Sequence, residues 1–527
     1  LTLTAANSFT GTTTVAAGRL NVDGSLAGST LTTVQDGAVL GGTGTVGNLA
    51  LASGGRLAPG RSIGTLKVAG DLTMAEGSVY EVEVDADGKA DRVDVTGSAS
   101  LAGSVLAMAA GGNYAPLTDY TILTAEEGVT GSFGTVTSSL AFLEPTLRYG
   151  AKDVTLRLER NDTSFRSVAG TANQRATAAA VESLAMGNAV YDAVVLTDTG
   201  TAGAAFDSLS GELHASAAGA LMQGAMAVGD VVAAQGALSA GSAGIEAPAS
   251  AAFGAGRMWL QAYGAWGSND GDDVTSIDRN TSGTLFGLDA AVGENWRIGA
   301  FAGFGQASVK QDGTGSKLNA DSYHVGLYAA TRMGGFGAHL GAAYSLNDAE
   351  TTRHVAYAGT TETLTADYDV NATQVFGEVN YRFDTSHGAF EPFAGVAHIS
   401  LSGDDFTETG GAAALAGDGV DMRTTFTTLG LRTVQEFGLG ETPAAFRAEL
   451  GWRHAFGDVD PDADLRFAAG GSGFGVTGAA IAENTAVLRT GLDVGLTDDT
   501  ALSVGYGGQF GSDVTDHSVT AKLRIQF

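Results

Sequence analysis

Three hydrophobic periods divide the 527-residue chain. Residues 1–162 carry short alternating apolar and polar runs that end at Gly-containing turns, the signature of short strands. A Gly-x-apolar element recurs as Gly18-Arg19-Leu20, Gly37-Ala38-Val39, Gly55-Arg56-Leu57 and Gly77-Ser78-Val79, at about 18 to 22 residues, the length of one solenoid coil. A coil buries its apolar side chains only against its neighbours, so the stack needs a cap. The more aromatic segment 114–161, with Tyr120-Thr121-Ile122-Leu123 and Val154-Thr155-Leu156-Arg157-Leu158, reads as that cap. Leu1 falls inside the repeat and no signal peptide opens the chain, so the N-terminus is expected to be a truncation.

Residues 163–250 change period. Asn173-Gln174-Arg175 opens a helical pattern through Ala178, Val181, Leu184 and Ala185, and a second helix is expected over about 204–235. Between 215 and 235 only Ser216, Gln223 and Asp230 are clearly polar, which is apolar enough to span a bilayer. The remaining side chains are mostly Ala and Gly rather than the long aliphatics that face lipid, so a narrow, protein-lined lumen is the expected setting. At about 1.5 Å per residue this helix reaches roughly 48 Å, enough to cross a hydrocarbon layer about 25 to 30 Å thick.

Residues 251–527 alternate with period two in segments of about ten residues, the pattern of transmembrane barrel strands. Val375, Gly377, Val379, Tyr381 and Phe383 oppose Gln374, Phe376, Glu378, Asn380 and Arg382. Phe446, Ala448, Leu450 and Trp452 likewise oppose Arg447, Glu449 and Arg453, and Leu488, Leu492 and Val494 oppose Arg489 and Asp493. Twelve strands are expected, starting near residues 257, 282, 296, 321, 335, 372, 389, 422, 444, 485, 500 and 516. Short turns such as Glu294-Asn295 alternate with longer acidic loops at 268–281, 348–371, 403–421 and 457–482, which assigns the turns to the periplasm and the loops to the outside. Trp259, Trp266, Trp296, Trp452 and Tyr506 are expected in interfacial girdles. The lumen-facing charges predicted by parity are Asp289, Glu378, Arg382, Arg432, Arg447, Glu449, Arg453, Arg489, Asp493, Lys522 and Arg524. Their mixed signs suit a lumen filled by a helix, whereas rings of one sign would suit a selective channel. The last strand ends on Leu523, Ile525 and Phe527, the terminal aromatic that barrel-assembly machinery recognises.

Composition narrows the chemistry. The net charge of −30, without a basic tract, argues against nucleic acid as a partner. The absence of Cys excludes disulfides and thiolate sites and suits passage through an oxidising periplasm. Eight His residues show no metal-ligand spacing, so no cofactor, metal or catalytic residue is assigned. Gly60-Arg61-Ser62-Ile63-Gly64 fits a nucleophile elbow and Gly42-Thr43-Gly44-Thr45-Val46-Gly47 a dinucleotide loop, but both lack the following helix and read as solenoid turns. Asp85-Ala86-Asp87-Gly88-Lys89-Ala90-Asp91 loosely suggests a cation loop without the distal Glu, and reads as a polar hairpin turn. The run Asn269-Asp270-Gly271-Asp272-Asp273 reads as a solvated loop.

Several stretches carry a family resemblance. Asn173-Gln174-Arg175-Ala176, Leu209-Ser210-Gly211-Glu212-Leu213-His214-Ala215-Ser216, Gln374-Val375-Phe376-Gly377-Glu378 and Gly451-Trp452-Arg453-His454-Ala455-Phe456-Gly457-Asp458 resemble the barrel module of the autotransporter family of type V secretion. Residues 54–107, including Leu57-Ala58-Pro59-Gly60-Arg61-Ser62-Ile63-Gly64-Thr65-Leu66, resemble its passenger-associated repeat. The resemblance implies a mainly all-β protein: a parallel β-helix passenger segment (1–162) that folds first and assists secretion of the rest, an α-helical linker (163–250), and a twelve-stranded antiparallel barrel (251–527) with the helix in its lumen. It implies outer-membrane lipid, barrel-assembly machinery and periplasmic chaperones as partners, in a Gram-negative bacterium with residues 1–162 outside the cell. The pore-helix and linker residues it singles out are Asn173, Gln174, Leu209, Ser210, Gly211, Glu212, His214 and Ser216, with Gln223 and Asp230 further along. Some members cut this linker at an Asn-Asn pair; this sequence has none, so that route is not expected. The competing expectations are an adhesin whose passenger binds a host-surface ligand, a porin-like channel, and a serine hydrolase using Ser62.

Overall fold

The computed structural model describes residues 1–85, 88–109, 118–239, 256–271, 273–386 and 388–526. Asp87, Asp272, His387 and the terminal Phe527 lie outside the described residues. The chain forms two compact units, residues 1–170 with 177–209 and 356–361, and residues 171–176 with 210–355 and 362–527.

In the first unit three parallel sheets stack into a solenoid. One sheet contains strands starting at residues 18, 38, 56, 79, 104 and 135, so the coils lengthen toward the cap beyond the 18 to 22 residues the sequence suggests. Its register places Leu20, Leu40, Leu57, Tyr80, Val105 and Val136 in one row, each beside the same position of the next coil. Leu40, Leu57, Tyr80 and Val105 are fully buried there, and a buried aliphatic of this size contributes about 1.5 to 3 kcal/mol. Gly18, Gly37, Gly54 and Gly77, with φ between 70° and 81°, take the left-handed turn ahead of these strands, which a residue with a Cβ rarely adopts. The parallel stack ends where Asp119–Ala125 pairs antiparallel with Asp153–Arg160, which pairs in turn with Leu143–Tyr149.

The region beyond this cap packs as more than a linker. Helices α1 (Ala172–Ser183), α2 (Ala189–Val194) and α3 (Ala202–Leu209) follow, and α2 has no clear signal in the sequence. Phe165 is fully buried among Phe142, Tyr191 and Phe206, with ring centroids 4.6, 5.1 and 6.4 Å away. The Arg160 guanidinium lies 5.0 Å over Phe165 and donates to Glu182 at 3.2 Å.

Neither the nucleotide-loop nor the hydrolase-like motif leads into a helix: Gly42–Gly47 runs from the end of strand Ala38–Gly42 through strand Thr45–Val46. Gly60–Gly64 joins Arg56–Pro59 to Thr65–Val68, and Asp91 shapes the turn by accepting from Gly64 N–H at 2.8 Å and Glu83 N–H at 3.0 Å. Burial pushes the Asp91 carboxyl up to about 7, against the two backbone donors that favour its charged form. Its folded value therefore exceeds the unfolded value of about 3.9, so this contribution is complete below pH 4 and is lost as pH rises through 7. Amide exchange at Gly64 and Glu83, corrected for intrinsic rates, should lose protection from pH 5 to pH 8, and Asp91→Asn should flatten that slope; an unchanged slope in the variant would exclude Asp91 as its source.

The second unit is a closed antiparallel barrel. Its strands are Gly256–Asn269, Ile277–Val292, Trp296–Gln311, Lys317–Met333, Phe336–Tyr357, Thr360–Tyr381, Gly388–Gly403, Asp421–Leu439, Thr442–Gly457, Asn484–Gly495, Thr500–Phe510 and Val514–Gln526. The first and last pair directly, from Arg257 with Gln526 to Asn269 with Val514. The sixth is interrupted at Arg382 and resumes as Phe383–Thr385. Alternation matches a lipid-facing cylinder: Phe286, Leu327, Leu340, Leu429 and Leu450 are exposed on the outside, and Leu285, Phe301, Tyr328, Phe376 and Gln374 are buried inside.

Three expectations are corrected. Residues 348–371 are not a loop but the continuation of the fifth and sixth strands, joined by Ala358-Gly359 with φ of 46° and 80°, the backbone of a two-residue hairpin turn. The segments 403–421 and 457–482 fold in part into a four-stranded sheet, Phe406–Thr407, Leu415–Gly417, Asp462–Phe467 and Gly470–Thr477, that the alternation of the transmembrane strands did not announce. Trp259 is no girdle residue, because parity turns it inward, where it is fully buried and donates to Tyr328 Oη at 2.8 Å; Trp266, Trp296, Trp452 and Tyr506 are exposed.

Candidate functional site

The lumen contains α4 (Glu212–Ser239), 28 residues long. The expected single helix over 204–235 is in fact two, α3 and α4, separated at Ser210-Gly211. Gly211 has φ 72°, and a Cβ there would lie 2.5 Å from Leu415 and 2.8 Å from Leu465. Leu209 is buried in α3, while buried Ser210 accepts from Glu212 N–H at 3.3 Å. α4 is long and apolar enough to cross a membrane and is mostly buried within the protein.

Small residues let this helix approach the wall. A Cβ on Gly219 would meet Pro461 at 2.7 Å, on Gly229 the Gln374 amide at 2.1 Å, and on Gly236 the His339 ring at 3.1 Å. Apolar contacts fill the remainder: Leu213, Leu221, Met222 and Met226 pack with Ile277, Leu318, Ile399 and Phe426, and Val228, Val231 and Val232 with Trp259, Tyr263 and Phe376. The opposite side is looser. A cavity of about 290 Å³ extends beside the helix, lined by Gln223, Asp230, Arg453, Arg489, Ser503 and Gly505 among others.

Across this gap the helix is held by charge. Asp230 accepts from Arg453 at 2.8 and 3.1 Å and from Arg489 at 2.7 Å. Arg489 also pairs with Glu449, which accepts from Arg432 at 3.0 Å. Arg432 reaches both oxygens of Glu378 at 3.2 Å and lies 4.6 Å over the Phe393 ring. Arg453 further donates to Gln509 at 3.1 Å and to the Met226 sulfur at 3.2 Å. Arg447 pairs with Asp493. Near the helix C-terminus, Gln235 accepts from Lys522 at 2.8 Å and donates to Asp289 at 3.2 Å, while Tyr328 and Arg297 also donate to Asp289 at 2.8 and 2.6 Å.

The N-terminal turn has its own anchors. Asn173 donates to Glu212 at 2.9 Å and exchanges two bonds with the Thr477 backbone, at 2.7 and 2.9 Å. The other Glu212 oxygen accepts from Thr275 N–H at 2.5 Å. His214 stacks on Phe406 at 4.2 Å and meets Glu408 at 3.0 Å and Tyr368 Oη at 3.3 Å. Ser216 accepts from Ala479 N–H at 3.0 Å. Burial alone would raise the Glu408 carboxyl, but Arg353, bidentate at 2.9 and 2.7 Å, and His214 hold it well below the usual range.

Two residues singled out in the sequence, Arg382 by strand parity and Gln174 by the family resemblance, stand apart from these contacts. Arg382 sits where the sixth strand is interrupted and pairs with exposed Asp384 at 2.7 Å, so it belongs to the rim and not the lumen. Gln174 accepts from Thr171 N–H at 3.4 Å at the start of α1. Arg524 is half-buried at the inward parity of Lys522, and Leu523 and Ile525 alternate with them. The sequence reading missed Arg297 and Tyr328, although strand parity already turned both inward. It also missed Arg353, Tyr368, Phe406 and Glu408, because they lie in segments read as loops.

A closed lipid-facing barrel with a helix held in its lumen defines an outer-membrane protein whose pore is occupied by its own chain. Residues 258–507, most of the barrel, match the family described as autotransporter beta-domain. The chain is an outer-membrane translocator of a Gram-negative bacterium, whose passenger is exported to the cell surface. The chain is similar to two proteins of Serratia marcescens, each named extracellular serine protease: one is 31% identical over 100% of this chain and 55% of its own length, the other 28% over 99% and 54%. The chain thus spans about half the length of these curated relatives. The translocator domain of the autotransporter NalP from Neisseria meningitidis is similar in structure, at 15% identity and a TM-score of 0.45, over 58% of this chain and 97% of that one.

Asp230→Ala should remove the half-buried helix charge from between two guanidiniums, at a cost of about 1.5 to 3 kcal/mol for losing hydrogen bonds between charged groups. Thermal unfolding in detergent should show a lowered midpoint, and Asp230→Glu should recover part of it; an unchanged midpoint for Asp230→Ala would show that apolar packing alone holds the helix.

Proposed function

We propose that the barrel with α4 in its lumen is the resting state after secretion, the helix being the tether between membrane and passenger. The observation that carries this is Asp230, the charge near the middle of α4, bound by Arg453 and Arg489 of the wall. In this reading residues 1–162 are the membrane-proximal end of a β-helical passenger and fold early outside the cell, 163–250 are the linker, and 251–527 anchor the whole. Each coil is a template for the next, so folding outside biases the chain outward without ATP. Leu523, Ile525 and Phe527 present the barrel to its assembly machinery, with periplasmic chaperones holding the unfolded chain. Mixed lumen charges favour this plugged state over a porin with one-sign selectivity.

The chain itself performs no covalent step in this proposal. The names of the two Serratia relatives favour a second reading for the whole protein, in which the exported passenger is a serine protease and not an adhesin for a host-surface ligand. A fluorophosphonate probe should then label the secreted passenger, and absence of labelling would overturn that reading.

Deleting residues 163–235 should give an open barrel with large, stable conductance in planar bilayers and no passenger at the cell surface. Conductance like that of the intact chain would overturn the tether-in-lumen proposal.

A further inference from the structure

The four-stranded sheet built from the segments after the seventh and ninth barrel strands has strands of two, three, six and eight residues. Isolated strands this short are marginal in water. Their apolar side chains are nonetheless buried: Leu415, Leu465, Phe467 and Phe474 are all under 9% exposed. Much of what buries them comes from the first turns of α4. Leu415 and Leu465 close over Gly211 so tightly that a Cβ there has no room. Phe406 stacks on the His214 ring, and Glu408, which also accepts from Leu415 N–H at 2.9 Å, ties that ring to Arg353. Gly478 approaches so closely that a Cβ on it would lie 2.2 Å from Ser216 N, and Pro461 rests on Gly219.

These contacts read one register. Sliding the helix by one residue moves it about 1.5 Å and turns it about 100°. Such a step would place Ser210 or Glu212 under Leu415 and Leu465, swing His214 away from Glu408, and carry Asp230 away from Arg453 and Arg489. The lid therefore has its folding partner only when residues 211–219 stand at the mouth.

We infer that this sheet is a stop-and-seal lid: it folds upon the arrival of residues 211–219, and His214 is the positioning residue that fixes where outward movement of the chain halts. The lid's ligand is this chain's own helix. The inference rests on the tether reading and adds to it the order of events, with the lid closing last.

The test is hydrogen exchange on the purified chain in detergent micelles, reading residues 406–417 and 462–477 against the transmembrane strands as a control for barrel folding. His214→Ala should speed exchange in the lid by roughly tenfold or more, as for loss of a hydrogen bond to a charged group. His214→Gln, which keeps a donor toward Glu408, should restore part of it. Gly211→Leu and deletion of residues 163–235 should each abolish lid protection while barrel strands stay protected. Lid protection at the intact level in the deletion would overturn the inference, because the lid would then fold without the helix. The conductance measurement separates the two proposals: an open pore under a protected lid sinks only the lid, and a closed pore with an unprotected lid sinks only the tether.

Discussion

A strand that crosses lipid must bond every backbone N–H and C=O to a neighbour, since no water is present to replace a missing partner. The pairing of the first barrel strand with the last is where that demand is met, and the remaining architecture follows from it. Closing twelve strands leaves an interior wider than facing side chains can fill. The wall supplies bulk on one side, through Phe301 and Tyr328, while Ser503, Gly505 and Gly507 leave space on the other. The helix leans on the first side, and charged side chains reach across the second.

That asymmetry explains why the helix is built of Ala and Gly. Its packing needs closeness to the wall more than apolar mass, as shown by Gly229 against Gln374 and Gly236 against His339. Ion pairs, buried or half-buried as here, gain little over apolar packing, so Asp230 is better understood as a marker of position than as a source of affinity. In combination, small residues permit many registers and one carboxylate with two guanidiniums selects among them.

How much of this could be read from sequence depended on whether a local period existed. Alternation at Phe446 to Arg453 and at Leu488 to Asp493 stated both the strand and its inward face. The same rule applied to Trp259 would have placed it inside; the preference of tryptophan for interfaces outweighed it and misled. The recurring glycines announced the solenoid because left-handed turns recur with each coil. The break at Gly211 was not legible, since a glycine in an Ala-rich run is compatible with a helix until tertiary contacts with Leu415 and Leu465 exclude a Cβ. The lid was invisible for a related reason: two of its four strands have only two or three residues and carry no period, and the pairing that joins its two halves spans some 50 residues, as between Leu415 and Phe467.

The glycine contacts of the helix have an evolutionary consequence. At Gly219, Gly229 and Gly236 the wall and the helix share one fixed volume, contributed by two distant stretches of chain. A larger residue on the helix is tolerable only beside a smaller one at Pro461, Gln374 or His339, so these positions should drift as pairs. A helix transplanted from another barrel of this kind would then be rejected even with its charges matched, and exchanging passengers between such proteins is best done upstream of Gly211.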